Sequence, residues 1–194
     1  MSIEIVNLCK SFGNHKVLDG FSCTLTEGKT TCIMGASGIG KTTFFNLLLC
    51  LQKPDAGSIS KLETLRLSAV FQEDRLCENL TPIVNVHLVT GKTVSREAIQ
   101  AAFSQVGLED SITQPVRELS GGMRRRVALV RALLIPYDVL VLDEPFKELD
   151  EETKALTIAY LKSQSAGRTV LIATHDFADA AKMDADILRI PESE

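Results

Sequence analysis

The chain has 194 residues, 45% of them hydrophobic and 24% charged, which suits a globular core and excludes both an intrinsically disordered chain and a disulfide-dependent miniature fold. Against 25 Asp and Glu it sets 21 Lys and Arg, a formal net charge of −4 that lacks the broad positive field of a dedicated nucleic-acid binder. The most apolar run, Phe44 to Leu51, falls far short of the roughly 20 residues that cross a bilayer. The start Met1, Ser2, Ile3, Glu4 carries no basic and apolar leader, so the cytoplasm is the expected compartment.

Apolar alternation predicts strands over 3–6 and 17–25, and a buried strand over Thr30 to Met34 that runs directly into the glycine-rich GASGIGKTT. TTFFNLLLC then reads as a helix whose apolar face is Phe44, Leu47, Leu48 and Leu51. KPDAGSIS supplies turn residues, and a further strand is expected over 65–71, ending beside Gln72, Glu73 and Asp74. Helices are expected over 79–88 and 95–106, within a small helical lobe of roughly residues 76–136. That lobe closes with a long helix after Ser120, on which Val127, Val130 and Leu134 turn inward and several arginines stay solvated; Pro136 stops it. VLVLDEP and RTVLIATHD are two compact apolar strands ending in acids or in His175 and Asp176, and the alternation of strands with helices indicates an α/β sandwich. Cys9, Cys23, Cys32, Cys50 and Cys77 are scattered and odd in number, which reads as reduced packing cysteines.

The chemistry concentrates in Gly35, Ala36, Ser37, Gly38, Ile39, Gly40, Lys41 and Thr42, a full GxxxxGK[ST] phosphate loop. Its glycines let backbone amides converge on anionic oxygens; Lys41 reaches the β- and γ-phosphates and Thr42 ligates magnesium, so a nucleoside triphosphate is the expected substrate. Asp143 ends a buried strand where its carboxylate can sit near the metal, and Glu144 can extend towards an attacking water. Adjacent strand residues point to opposite faces, so both acids serve one site only if the chain turns there, as Pro145 suggests. Gln72 is a candidate for coordinating magnesium or orienting water, with a surface glutamine as the alternative. His175 is a candidate γ-phosphate or water contact, with a helix cap or a solvated histidine as the alternative. His15 and His87 read as surface groups.

In this order, GASGIGKT, Gln72, LSGGM (Leu119 to Met123), VLVLDE (Val139 to Glu144), Leu149-Asp150 and His175 resemble an ATP-binding cassette ATPase over nearly the whole chain. The resemblance implies one nucleotide-binding domain over 1–194, a P-loop NTPase sandwich with a mixed β core and an inserted α-helical signature lobe. It implies ATP and Mg2+ as cofactors, with Gly35, Ser37, Gly38, Gly40, Lys41, Thr42 and Thr43 around the phosphates and Thr42, Gln72 and Asp143 at the metal. Glu144 would activate water and His175 would contact the γ-phosphate. Ser120, Gly121 and Gly122 would meet the ATP held by a partner, a second copy or a related ATPase, in a head-to-tail dimer. Asp150 would organise that interface, and Phe12 would stack on adenine unless it is an ordinary core aromatic.

The family commonly drives separate transmembrane permease subunits from the cytoplasmic side of the membrane, in some systems with a substrate-binding protein, and no nucleic acid is expected. VFQEDRL looks weakly like the nitrate, sulfonate and taurine importer group, while substrate and direction of transport stay open. Met123 stands where the family usually has glutamine, Lys147 and Glu148 replace small residues before Leu149-Asp150, and the short interval from Gly57 to Leu65 suggests a lost hairpin. The competing reading is a soluble ATPase of this type acting on nucleic acid or a macromolecular complex through Arg124, Arg125, Arg126 and Arg131; a small-molecule kinase would leave the LSGGM segment without a purpose.

Overall fold

The computed structural model of the protein describes residues 2–191; Met1, on which the reading of a leaderless start falls, lies outside the described residues. In chain order the elements are β1 (Ser2–Phe12), β2 (His15–Thr26), β3 (Thr30–Met34), α1 (Lys41–Leu48), β4 (Ala56–Ile59), β5 (Leu67–Val70), α2 (Pro82–Thr90), α3 (Arg96–Gln105), α4 (Gly121–Leu133), β6 (Val139–Asp143), α5 (Glu151–Gln164), β7 (Thr169–Ala173), α6 (Phe177–Lys182) and β8 (Asp186–Arg189). They fall into two compact units. The first holds the described residues up to Leu67, then Asp138–Asp143 and those from Gly167 on; the second holds Ser68–Tyr137 and Glu144–Ala166.

In the first unit β1 lies between β2 and β4, antiparallel to both. The β1–β2 register slips three times between Ile5 and Ser11, and these irregularities explain why alternation in the sequence shows only parts of two long strands. The interval after Gly57 contains part of β4 and a short 3-10 turn at Leu62–Thr64. A parallel sheet runs β6-β7-β3-β8, with Cys32 opposite both Ile172 and Ile187. Every residue of β6 and β7 is buried, as expected of strands covered on both faces. Helix α1 buries Phe44, Phe45, Leu47 and Leu48, and the Phe44 ring meets Phe21 of β2 edge-on with centroids 5.3 Å apart. Leu51 does not join this face: the helix ends at Leu48 and Leu51 is exposed, while Phe45, which was not expected on it, is buried.

The second unit packs α2 to α5 around Val86, Ile99, Phe103, Val127, Leu129, Val130 and Leu161. Helix α2 begins at Pro82 and not at Asn79. The Thr81 hydroxyl accepts from the Val84 amide, and a proline at the first helical position loses no hydrogen bond. Asn85, 1% exposed, holds the preceding loop by accepting from the Cys77 amide and donating to the Cys77 and Leu80 carbonyls. On α4, Leu133 is buried and Leu134 is half-buried.

Three of the four arginines of α4 are held by backbone carbonyls and not left to solvent, while the Arg124 side chain is 38% exposed. Arg125 is buried and donates to the Phe71 and Gln72 carbonyls; Arg126 donates to those of Val106 and Gly107; Arg131 donates to those of Asp74 and Arg75. A guanidinium carries five donors in a fixed fork, and unbonded backbone carbonyls in a folded loop are the acceptors that let it be buried. The cysteine expectation also needs correction: Cys32 is buried, Cys9 and Cys23 are half-buried, but Cys50 and Cys77 are exposed. Among the described residues no helix is long and apolar enough to cross a membrane.

Candidate functional site

Strand β3 delivers the chain to the loop 35–42, and α1 carries it away. Gly40 precedes the helix with φ +108, and a β-carbon there would lie 2.8 Å from Val17 Cγ1 and 3.2 Å from the Val17 carbonyl oxygen, so only glycine fits both the backbone and the space. Lys41 opens α1, is buried, and donates from Nζ to the carbonyls of Gly35 (2.6 Å) and Ala36 (2.8 Å), which folds the ammonium back over its own loop. Thr42 Oγ1 donates to Asp143 Oδ2 at 2.8 Å. Asp143 is the last residue of β6 and is 6% exposed, so the start of α1 and the end of β6 bring a hydroxyl and a carboxylate 101 positions apart in sequence to one point.

A cavity of about 480 Å³ opens beside the loop, lined by Gly35, Ala36, Ile39, His175, Phe177 and Arg189 among others. A second cavity, of about 100 Å³, lies among Ser2, Ile3, Lys61, Val139 and Thr169. Val139 and Thr169 begin strands that end towards the loop, so this smaller cavity is at the wrong end of the sheet for phosphate chemistry. His175 follows β7 and is exposed. The cap of α6 is Asp176, whose carboxylate accepts from the Ala178 amide, so His175 is not the helix cap. Phe12 ends β1 with its ring 48% exposed and Lys10 Nζ 5.7 Å from the ring centroid, which rules out a core aromatic.

In the second unit Glu144 has φ +49. The turn required after Asp143 is therefore made at Glu144 itself, one residue before the proline that announced it. Gln72 is exposed, on the segment that follows β5. Ser120 caps α4, its hydroxyl accepting from the Met123 amide at 3.2 Å. A β-carbon on Gly122 would lie 2.7 Å from the Glu148 carbonyl oxygen, whereas one on Gly121 would meet the flexible end of the Glu148 side chain. Asp150 caps α5, accepting from the Thr153 amide at 2.9 Å, and that bond holds its carboxyl below the usual range. Burial pushes the Asp74 carboxyl up, against the opposing pull of Arg125 and Arg124. The sequence reading missed the ion pair between half-buried Asp74 and buried Arg125, 3.2 Å apart; a charged pair 51 positions apart leaves no periodic trace.

A parallel sheet whose strand runs through a glycine loop into a helix, with a lysine over the loop and a hydroxyl on a buried strand-end carboxylate, defines a P-loop nucleoside triphosphatase. The family model described as "ABC transporter" matches residues 18–147, and the chain belongs to that family. The aliphatic sulfonates import ATP-binding protein SsuB 1 of Nocardia farcinica is 38% identical over 187 residues, covering 94% of this chain and 75% of the relative. The L-cystine import ATP-binding protein TcyN of Bacillus subtilis is 34% identical, covering 98% and 82%. Among solved structures, a dimeric bacterial ABC transporter cassette matches with a TM-score of 0.86 and 27% identity, over 99% of this chain and 96% of that one. The protein is an ATP-binding and ATP-hydrolysing subunit that energises transport by an ABC transporter, related to the sulfonate and amino-acid import ATPases.

Proposed function

We propose that the chain is a single nucleotide-binding domain, with its helical lobe over about 76–136, working as a Mg2+-dependent dimeric ATPase on the cytoplasmic side of the membrane, bound peripherally to separate permease subunits. The observation that carries the site assignment is the 2.8 Å contact between Thr42 and the buried Asp143, beside Lys41. Two hard oxygen donors side by side fit Mg2+, which takes one or two protein oxygens and completes its shell with phosphates and water. When bound, Mg2+ neutralises charge on the β- and γ-phosphates.

The remaining steps belong to the chain. Lys41 exchanges the Gly35 and Ala36 carbonyls for phosphate oxygens, a stronger charge-assisted pairing, while the loop from Gly35 through Ser37, Gly38 and Gly40 to Thr43 offers its amides. Phe12 stacks on adenine, and Gln72 completes the metal region. Water oxygen attacks the γ-phosphorus as the bond to the bridging oxygen of ADP breaks; the water proton passes to Glu144, and His175 donates to the γ-phosphate. Ser120, Gly121 and Gly122 of one protomer bind the ATP held by the other, and Asp150 orders the joint. The sulfonate and L-cystine import proteins among its relatives favour import of a sulfonate- or amino-acid-like solute over the export named in a Nod factor relative; a substrate-binding protein is a further partner.

Nucleic-acid action is disfavoured because three of the four arginines that suggested it already hold backbone carbonyls. The site is tested by Glu144→Gln: steady-state hydrolysis falls by about 10²-fold or more with ATP binding retained, the loss expected when a general base is removed. Unchanged turnover would remove Glu144 from the mechanism.

A further inference from the structure

Helix α4 begins at the Ser120 cap and, one turn later, sends Arg125 inward. This side chain is 7% exposed, so its donors must find acceptors in the protein. They find them on the segment that carries Gln72. Nη1 donates to the Phe71 carbonyl at 2.5 Å and Nη2 to the Gln72 carbonyl at 2.6 Å. Nη1 also lies 3.2 Å from Asp74 Oδ1, as an ion pair and not a hydrogen bond. Two turns further along the helix, Arg131 donates to the Arg75 and Asp74 carbonyls at 2.7 and 3.0 Å. The Arg75 guanidinium lies 3.6 Å from the centroid of the Phe71 ring, and Arg75 itself has a left-handed φ of +49.

Four of the five carbonyls from Phe71 to Arg75 are therefore fastened to one helix, and the Gln72 side chain stands exposed on a backbone that cannot turn independently of it. We infer that Arg125 is a positioning residue for Gln72: by gripping the Gln72 carbonyl and the one before it with one planar fork, it sets where the Gln72 amide is presented and ties that placement to the Ser120 end of α4. The inference rests on the proposed role of Gln72 at the metal and of Ser120 at the partner's ATP. It deepens that reading, because the group that meets one nucleotide and the group that meets the other become two ends of one rigid piece within a single chain. A lysine keeps the charge but is a single point donor, and it cannot hold two successive carbonyls in a plane.

The test compares kcat and KM for ATP in the intact protein, in Gln72→Ala, in Arg125→Lys and in the double variant. Arg125→Lys is expected to lower kcat about 5- to 10-fold with KM within about twofold, the signature of an interaction made only in the reacting complex. Because Arg125 acts through Gln72, the double variant is expected to be no slower than Gln72→Ala alone. A wild-type kcat in Arg125→Lys, or a double variant slowed by the product of the two single losses, overturns the inference. If Gln72→Ala itself keeps full kcat, the role given to Gln72 has failed and the inference with it, an outcome distinct from the other two. Should Arg125→Lys not fold, Arg125→Gln takes its place under the same criteria.

Discussion

The loop over Lys41 and the helix after Ser120 both gather positive charge at the start of a helix, and they use it in opposite ways. Lys41 rests on carbonyls five and six positions away, Ala36 and Gly35, within its own loop. Arg125 and Arg131 reach carbonyls 53 to 57 positions away, and Arg126 reaches carbonyls 19 and 20 positions away. A cation held by its own loop can exchange those carbonyls for phosphate without disturbing the fold. One that fastens distant segments cannot leave without freeing them. On the proposed reading the first is binding chemistry and the second is framework, although the residue types alone suggest the same role for both.

That contrast fails if the two kinds of cation respond alike to removal. In Lys41→Ala, ATP affinity measured by titration with a fluorescent nucleotide is expected to fall by about 10- to 100-fold, the value of one or two charge-assisted hydrogen bonds. In Arg126→Ala the effect is expected in unfolding instead. Denaturant titration should show a loss of about 2–3 kcal/mol, because the Val106 and Gly107 carbonyls lose their donor, with ATP affinity kept. An Arg126→Ala protein of full stability and weakened ATP binding would erase the distinction.

The two glycines after Ser120 sharpen it at a smaller scale. Gly122→Ala drives a methyl group against the Glu148 carbonyl and should cost about 1–2 kcal/mol, overpacking partly offset by alanine's better helix propensity. Gly121→Ala meets only the movable end of the Glu148 side chain, and its thermal midpoint should stay near that of the parent. The smallest perturbation is thiol labelling of the native protein. Cys50 and Cys77 are exposed and should react first. Burial pushes the Cys23 thiol up to about 11, and Cys32 up to about 12 with a contribution from Asp179, so at neutral pH Cys32 should react only on unfolding. Early labelling of Cys32 would contradict its place in β3.

The sequence made the strand, loop and helix around Lys41 and the strand end at Asp143 legible because their signals are local. Thr30 to Met34 is a strand over the expected residues, the glycine loop follows it, and Asp143 ends an apolar run. The start of α2 was misplaced at Asn79, because the signal that sets it is the Thr81 cap followed by Pro82 at the first helical position. Arg125 was misread because helical periodicity reports which face a residue occupies, not whether carbonyls from a segment 53 positions earlier cover that face. The same limit applies to Cys50 and Cys77, whose apolar neighbours in sequence are not their neighbours in space.

The central claim is that one chain supplies half of each ATP site and a second copy, or a related ATPase, completes it through Ser120, Gly121 and Gly122. Sedimentation of the Glu144→Gln protein, with and without Mg2+ and ATP, tests this most directly. The account predicts a monomer without nucleotide, a dimer with it, and loss of that dimer when Ser120→Phe is added. A protein that binds ATP and stays monomeric at saturation, or a dimer indifferent to Ser120→Phe, would contradict the account.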